Sequence, residues 1–106
     1  MNKIGVIGDR DSVIGFRALS MTVLEAADAP EAERQLRSLV QENYAVVFIT
    51  ENLAEANQEY IRTLQERKLP AVIPIPSLTG TTGLGMRQVR ESVRRAVGMD
   101  LLNQDE

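Results

Sequence analysis

The sequence contains no cysteine and no histidine, and these two absences exclude several kinds of chemistry. Without cysteine there is no thiol nucleophile and no disulfide, and without either residue there is no Cys/His zinc site. Without histidine there is no imidazole general base and no phosphohistidine carrier. The remaining candidates for chemistry are carboxylates and hydroxyls.

Aromatic residues are also scarce, at 4% with no tryptophan, so the core must be aliphatic. No apolar run approaches the ~18–20 residues of a membrane span. The first residues, MNKIGVIGDR, lack the long apolar region of a signal peptide. Because cysteine is absent as well, we expect a cytoplasmic protein with no direct membrane insertion. The net charge of -3 argues against a general affinity for nucleic acid or for anionic membranes.

Four short apolar runs alternate with helical patterns along the 106 residues, which suffice for one domain with one core. This alternation predicts βαβ crossovers and a parallel sheet. The predicted strands are Ile4–Ile7, Met21–Leu24, Ala45–Ile49 and Ala71–Ile75. We therefore expect a small α/β fold of the Rossmann-like (flavodoxin-like) class, with helices on both faces of the sheet.

Two prolines set the position of the fourth strand in the sheet. Pro74 and Pro76 are two residues apart, so both missing amide hydrogens lie on the same side of the strand. An internal strand could not lose two ladder hydrogen bonds on one side, which predicts an edge strand. The strand order 2-1-3-4 satisfies this requirement.

Three helices are predicted between the strands. The first covers Val13–Leu19, capped by Asp11 or Ser12. The second begins with a capping box, Asp28-Ala29-Pro30-Glu31, and buries Ala32, Leu36, Leu39 and Val40. The third begins at Thr50 or Asn52 and ends before Pro70, with an inner stripe of Leu53, Asn57, Tyr60, Ile61 and Leu64.

The C-terminal part has a different composition. Residues 77–85 contain three glycines and three threonines, which is typical of a flexible connection. We divide the chain into an α/β body (1–78), a connector (79–85) and a C-terminal helix with its tail (86–106), within one structural domain. The helix is predicted over Met86–Val97, and residues 100–106 are expected to fray.

The predicted C-terminal helix is amphipathic and allows two interpretations. At about 100° per residue, its apolar side chains fall within an arc of about 100°, and Arg87, Arg90 and Arg94 line one border of that arc. The helix either covers the sheet or docks on a partner helix or coiled coil, where the arginines would meet acidic residues. The connector favours docking. The proposed interface comprises Met86, Val89, Arg90, Val93, Arg94 and Val97.

Acidic and hydroxyl residues follow the first, third and fourth strands, where ligands of open α/β sheets bind. A phosphoacceptor receiver domain would need an aspartate after the third strand, which instead ends at Thr50-Glu51, and a lysine after a fifth strand. Neither a G-x-G-x-x-G nor a G-K-[ST] motif is present. We therefore expect no catalytic, cofactor-binding or metal-binding residue. Residues at the strand ends are candidates for partner contact instead, namely Asp9, Arg10, Ser77 and Thr79.

The stretches GDRDSVIGFRALS, VVFITENLAE and PAVIPIPS together resemble the F subunit of the V-type and archaeal-type (A-type) ATPases and ATP synthases. The most specific part is the run Gly8-Asp9-x-Asp11-Ser12-Val13-x-Gly15-Phe16, and the ending I-P-I-P-S supports it. The resemblance covers essentially the whole chain. One departure is Ser20, where members of the family often carry glycine.

The resemblance implies a non-catalytic rotor part. In that family, the F subunit binds the coiled-coil D subunit, and together they form the central stalk that turns inside the catalytic A/B hexamer. The body of the F subunit sits near the component that caps the rotor ring, in the cytoplasmic sector peripheral to the membrane. ATP reacts on the A and B subunits, so no enzyme activity is expected here. By position, Leu84–Val97 corresponds to the C-terminal helix associated with coupling and ATPase regulation.

A second interpretation of a different class stays open at this point. The chain would then be a stand-alone receiver-like or nucleotide-sensing regulatory domain. A stable complex with the D subunit would favour the stalk component, whereas a Mg²⁺-dependent phosphoryl adduct on Asp9 or Asp11 would favour the regulator.

Overall fold

Four parallel strands form a single sheet in the computed structural model. The structure describes residues 3–17, 19, 21–77 and 84–104. Within 84–104, side chains are described only for residues 87–97. The strands are β1 (Ile4–Gly8), β2 (Thr22–Glu25), β3 (Val46–Thr50) and β4 (Ala71–Ile75). They lie in the order β2-β1-β3-β4, and every pairing is parallel. The predicted fold class, strand order and strand positions are confirmed, with boundaries shifted by one residue in three strands.

Within the described part of the chain, five helices and one 3-10 turn accompany the sheet. They are α1 (Arg10–Val13), the 3-10 turn (Ile14–Phe16), α2 (Ala29–Gln41), α3 (Glu51–Ala56), α4 (Gln58–Leu64) and α5 (Leu84–Gln104). One face of the sheet packs against α2, α3 and α4 through Ile7, Leu36, Leu39, Val47 and Ile49. The opposite face packs against α1 and α5 through Val6, Val13, Phe16, Ile75, Val93 and Val97.

The position of β4 at the edge is also confirmed, and its register shows which side of it is open. The Ala71 N–H donates to the Ala45 carbonyl at 2.9 Å, so Ala71 points its backbone groups toward β3. Because these groups alternate along a strand, those of Pro74 and Pro76 face the open edge. Neither proline has an N–H, and the open edge therefore offers few donors to an added strand.

The prediction for the first helix is wrong in both its cap and its length. The N-cap is Asp9, whose side chain accepts from the Ser12 N–H, and not Asp11 or Ser12. The strand continues to Gly8, so Asp9 is the first residue after it and adopts the extended conformation that a cap requires. The helix ends at Val13 and tightens into the 3-10 turn before Leu19.

The remaining helix predictions are confirmed in part. The side chain of Asp28 caps α2 by accepting from the Glu31 N–H at 3.0 Å, and the four predicted inner residues of α2 are buried. The third predicted helix is instead two helices that meet at Asn57, whose side-chain amide donates to the carbonyls of Ala29 (3.2 Å) and Leu53 (3.0 Å). The last helix continues through Gln104, so the prediction that the chain frays from residue 100 is wrong for residues 100–104. Residues 105–106 lie outside the described part of the chain.

Candidate functional site

A hydrogen-bonded cluster joins the carboxyl ends of β1 and β4. Asp9 Oδ1 accepts from the hydroxyls of Ser12 (2.8 Å) and Ser77 (3.2 Å), while Oδ2 accepts from the Ser12 N–H (3.2 Å). Ser12 is fully buried and Ser77 is 8% exposed. The carboxylate is therefore bonded to its own fold, and the cluster connects the start of α1 to the end of the described body.

The other predicted strand-end residues take different positions. Arg10 is exposed at the first position of α1, and Asp11 beside it is exposed as well. Thr79 lies outside the described residues. Within the described part of the chain, no group of three or more acidic side chains is arranged to hold a metal ion. Of the four predicted residues, the structure brings Asp9 and Ser77 together and leaves Arg10 facing solvent.

Gly8 allows the close approach that closes this end of the sheet. A Cβ placed on Gly8 would lie 2.5 Å from Thr50 Cγ2 and 2.9 Å from Val13 Cγ1, closer than carbon atoms pack. Thr50 and Val13 are both fully buried. The glycine therefore lets α1 and β3 pack directly over the end of β1.

The valine stripe of α5 lies on the sheet. Val93 and Val97 are 4% and 6% exposed, and they pack in the same cluster as Val6, Val13, Phe16 and Ile75. Val89 is half-buried against this cluster. The side chain of Met86 lies outside the described residues. In this structure the helix covers its own sheet, and contact of these residues with a partner stays a prediction.

The arginines of α5 border a depression beside the 3-10 turn. A Cβ on Gly15 would overlap the Arg90 guanidinium and lie 2.7 Å from Arg90 Cδ, so the arginine lies directly on the glycine. A cavity of about 300 Å³ there is lined by Gly15, Leu19, Arg87, Arg90, Glu91 and Arg94. Arg94 also pairs with Glu91 at 3.0 Å.

Sequence reasoning missed this contact between Gly15 and Arg90. The two residues lie far apart in the chain, and neither the glycine nor the arginine row contains a signal that pairs them. The exposed part of the site is thus a row of guanidinium groups on a docked helix, next to a closed Asp9 cluster. This arrangement suits contact with acidic side chains better than bond-making chemistry.

Comparison with known protein families finds a matching family model. Residues 4–93 match the family model described as the ATP synthase (F/14-kDa) subunit. The chain belongs to this family. The match extends from β1 into α5 and ends at Val93, one of the buried valines.

Named relatives from this F-subunit family cover almost the whole chain. The V-type ATP synthase F subunit of Clostridium botulinum is 43% identical over 100 residues, which are 94% of this chain and 97% of the relative. The protein of the same name from Fusobacterium nucleatum is 38% identical over 102 residues, covering 96% and 97%. The A-type ATP synthase F subunit of Methanothermobacter thermautotrophicus is 30% identical over 103 residues, covering 95% and 97%.

Among the described residues, no helix combines the length and the apolar character needed to cross a membrane. The recognised sequence signature has a structural explanation within this F-subunit fold, since Gly8, Asp9, Ser12, Val13 and Gly15 all make the contacts described above.

Proposed function

We propose that the chain is a non-catalytic central-stalk component of a V/A-type rotary ATPase or ATP synthase. It binds the coiled-coil D subunit and takes part in coupling ATP hydrolysis or synthesis to ion translocation. The observation that carries this proposal is the F-subunit match over residues 4–93. The closed cluster around Asp9 supports it, because a carboxylate bonded to Ser12 and Ser77 is poorly placed to accept a phosphoryl group.

The proposed partners follow from this place in the complex. The D subunit is the direct partner, the A/B hexamer surrounds the stalk, and the rotor-ring-capping subunit lies at the other end of the body. The chain would then lie in the cytoplasmic sector, peripheral to the membrane and without inserting into it. The division into body (1–78), connector (79–85) and C-terminal helix (86–106) is part of the same proposal.

The arginine side of α5 is the proposed partner contact in the docked position. Arg94 is exposed and Arg90 half-buried, so acidic side chains of a partner reach Arg94 directly. Val93 and Val97 are turned to the sheet and reach a partner only if the helix leaves it. Asp9, Arg10, Ser77 and Thr79 form the second proposed contact, and Arg10 is the exposed residue among the three that the structure describes.

Co-expression with the D subunit of the same organism, followed by gel filtration, tests the proposal. We expect a stable complex of the two chains, and we expect the chain to change the ATPase rate of an assembled complex of the A, B and D subunits. Failure to co-elute with the D subunit would contradict the proposal. So would a Mg²⁺-dependent phosphoryl adduct on Asp9 or Asp11, which would favour the stand-alone regulator.

A charge reversal tests the arginine contact separately. Arg94→Glu should weaken the complex with the D subunit by about tenfold, since it replaces attraction with repulsion at an exposed site. Arg95→Glu is the matched control, because Arg95 is also exposed but lies outside the arginine row and outside the cavity lining. Equal effects of the two variants would show that the row has no special part in binding.

A further inference from the structure

The described side chains of α5 concentrate positive charge in a chain that is negative as a whole. Residues 87–97 contain four of the twelve basic residues and one acidic residue, whereas the net charge of the chain is -3. The cavity of about 300 Å³ between α5 and the 3-10 turn is lined by three of the four, Arg87, Arg90 and Arg94. We call it the arginine cavity. Among the described residues, its lining contains one carboxylate, that of Glu91, so the lining has a charge of +2.

Arg90 is held in place by its contact with the body. Its side chain is half-buried and lies on Gly15 so closely that a Cβ there would be 2.7 Å from Arg90 Cδ and would overlap the guanidinium. Because a guanidinium that is already fixed by packing loses little further freedom on forming hydrogen bonds, this contact preorganises Arg90 for a ligand. Gly15 is thus the residue that lets a charge of α5 lie directly against the body.

Two of the three arginines have no charged partner within the described part of the chain. Arg94 pairs with Glu91 at 3.0 Å, but no ion pair and no side-chain hydrogen bond joins Arg87 or Arg90 to another described residue. Arg87 lies three residues before Arg90 and Arg94 lies four residues after it, so the three share one side of the helix. Like charges at these spacings destabilise a helix, and an anion bound between them removes that repulsion.

The charge of the cavity selects a phosphate group over a single carboxylate. Because Glu91 is paired with Arg94, the charge of +2 resides on Arg87 and Arg90. A carboxylate has one charge and two oxygens, which a single guanidinium satisfies in a bidentate pair. A phosphate ester has a charge of about -1.5 to -2 at pH 7 and three acceptor oxygens, so it can neutralise both arginines at once. The volume of about 300 Å³ is sufficient, since it equals that of roughly ten water molecules at about 30 Å³ each.

From this geometry we propose that the arginine cavity binds a small phosphate-bearing anion through Arg87 and Arg90. One wall of the cavity belongs to the body and the other to α5, so the bound anion favours the docked position of the helix. The partner contact proposed for Arg94 is compatible with this site, because Arg94 is not among the contacts of the anion. The inference goes beyond the proposed function and does not depend on it, since the site lies entirely within this chain.

Isothermal titration calorimetry of the full-length chain with pyrophosphate tests the site directly. Sodium chloride holds the ionic strength constant, because attraction between exposed charges falls as salt is added. Arg90→Gln and Arg87→Gln each remove one charge from the cavity. Arg95→Gln is the matched control, since Arg95 is exposed on the same helix but lies outside the cavity lining. Far-ultraviolet circular dichroism verifies that each variant folds.

We expect the wild-type chain to bind one pyrophosphate, Arg90→Gln to bind it at least about tenfold more weakly, and Arg95→Gln to stay within about twofold of the wild type. Arg87→Gln should weaken binding as well, and it replaces Arg90→Gln in the test if that variant does not fold, because Arg87 is exposed. The proposal is overturned if the wild-type chain shows no saturable binding. Equal losses in Arg90→Gln and Arg95→Gln also overturn it, because the attraction would then come from the overall charge of the helix.

A steric variant separates the position of Arg90 from its charge. Gly15→Ala leaves every charge in place but displaces the Arg90 side chain from the turn, which a flexible side chain can accommodate without unfolding the body. We expect pyrophosphate binding to weaken severalfold while the circular dichroism spectrum is unchanged. Unchanged affinity in this variant would contradict the argument that the contact with Gly15 positions Arg90 for the anion.

Two further ligands identify the chemical class of the anion. If malonate, whose charges are on carboxylates, binds as tightly as pyrophosphate, the assignment to phosphate is wrong. ADP distinguishes the two sources of a phosphate group: equal affinity of ADP and pyrophosphate supports an inorganic or simple phosphate ligand, and tighter binding of ADP supports a nucleotide. Because these measurements use the chain alone, their failure leaves the proposed function intact, and failure of the complex with the D subunit leaves the anion site intact.

Discussion

Truncation of Val93 in α5 tests whether this helix is part of the cooperative fold. The side chain is 4% exposed and lies among Val6, Val13, Phe16 and Ile75. Val93→Ala removes two methyl groups, which at about 0.8 kcal/mol each gives ~1.6 kcal/mol of lost transfer free energy. A residual cavity of about 50 Å³ adds ~1.2 kcal/mol at about 24 cal/mol per Å³. We expect the free energy of unfolding to fall by about 2–3 kcal/mol.

Urea unfolding followed by tyrosine fluorescence measures this change at a distance from the mutation. Tyr44 and Tyr60 both belong to the cluster on the opposite face of the sheet, so they report whether the whole body unfolds with α5. For a denaturant slope of about 1.3 kcal/mol per M, the midpoint should fall by about 2 M. Far-ultraviolet circular dichroism should show the same shift if unfolding is two-state.

Ser92→Ala is the matched control, because Ser92 precedes Val93 in the same turn and is exposed. Its effect should stay within about 0.5 kcal/mol. The reasoning is refuted if Val93→Ala leaves the tyrosine-detected midpoint unchanged. In that case α5 detaches independently of the body, and its contact with the sheet contributes little to the stability of the fold.

Substitutions at three further positions test the local contacts by the same urea assay. Gly8→Ala should lower the free energy of unfolding by about 1–3 kcal/mol through its clash with Thr50, and a smaller change would mean that the backbone adjusts there. Asp9→Ala should lower the free energy of unfolding by about 2 kcal/mol, and Asp9→Asn should lower it by less than ~1 kcal/mol, because only asparagine keeps an acceptor for the Ser77 hydroxyl. Equal losses for the two variants would assign the effect to the charge of Asp9 alone. Tyr44→Phe should lower it by about 1 kcal/mol by removing the 2.6 Å hydrogen bond to β2, and an unchanged midpoint would show that this hydrogen bond has no net value.

The sheet could be predicted from the sequence because its determinants are local. Apolar runs mark the strands, and the spacing of Pro74 and Pro76 alone places β4 at the edge with its donor-free side outward. The inner face of α2 could be predicted equally well, because Ala32, Leu36 and Leu39 repeat at helical spacing, and all three are buried in the structure. In each case one segment of sequence contains all the information that the prediction needs.

Where a prediction was wrong, the deciding contact joins distant parts of the chain. Asp9, Asp11 and Ser12 are three suitable caps within four residues, and the choice depends on β1 continuing to Gly8 beside Thr50. Likewise, the pattern of α3 and α4 is continuous in sequence. Asn57 interrupts it because its side chain donates to a carbonyl of α2, which no local pattern shows.

The C-terminal helix shows a different limit of sequence reasoning, because its apolar stripe has the same pattern whether it covers its own sheet or a partner. The structure shows the first arrangement, in which Val93 and Val97 fill the cluster around Phe16.

Burying a valine side chain is worth about 1.5 kcal/mol or more, so freeing both Val93 and Val97 for a partner costs at least ~3 kcal/mol. That cost would weaken binding by a factor on the order of a hundred. A partner that binds the exposed Arg94 avoids the cost, since the helix stays docked. Release of α5 is therefore favourable only as an exchange, in which the partner also covers the apolar surface that the helix leaves.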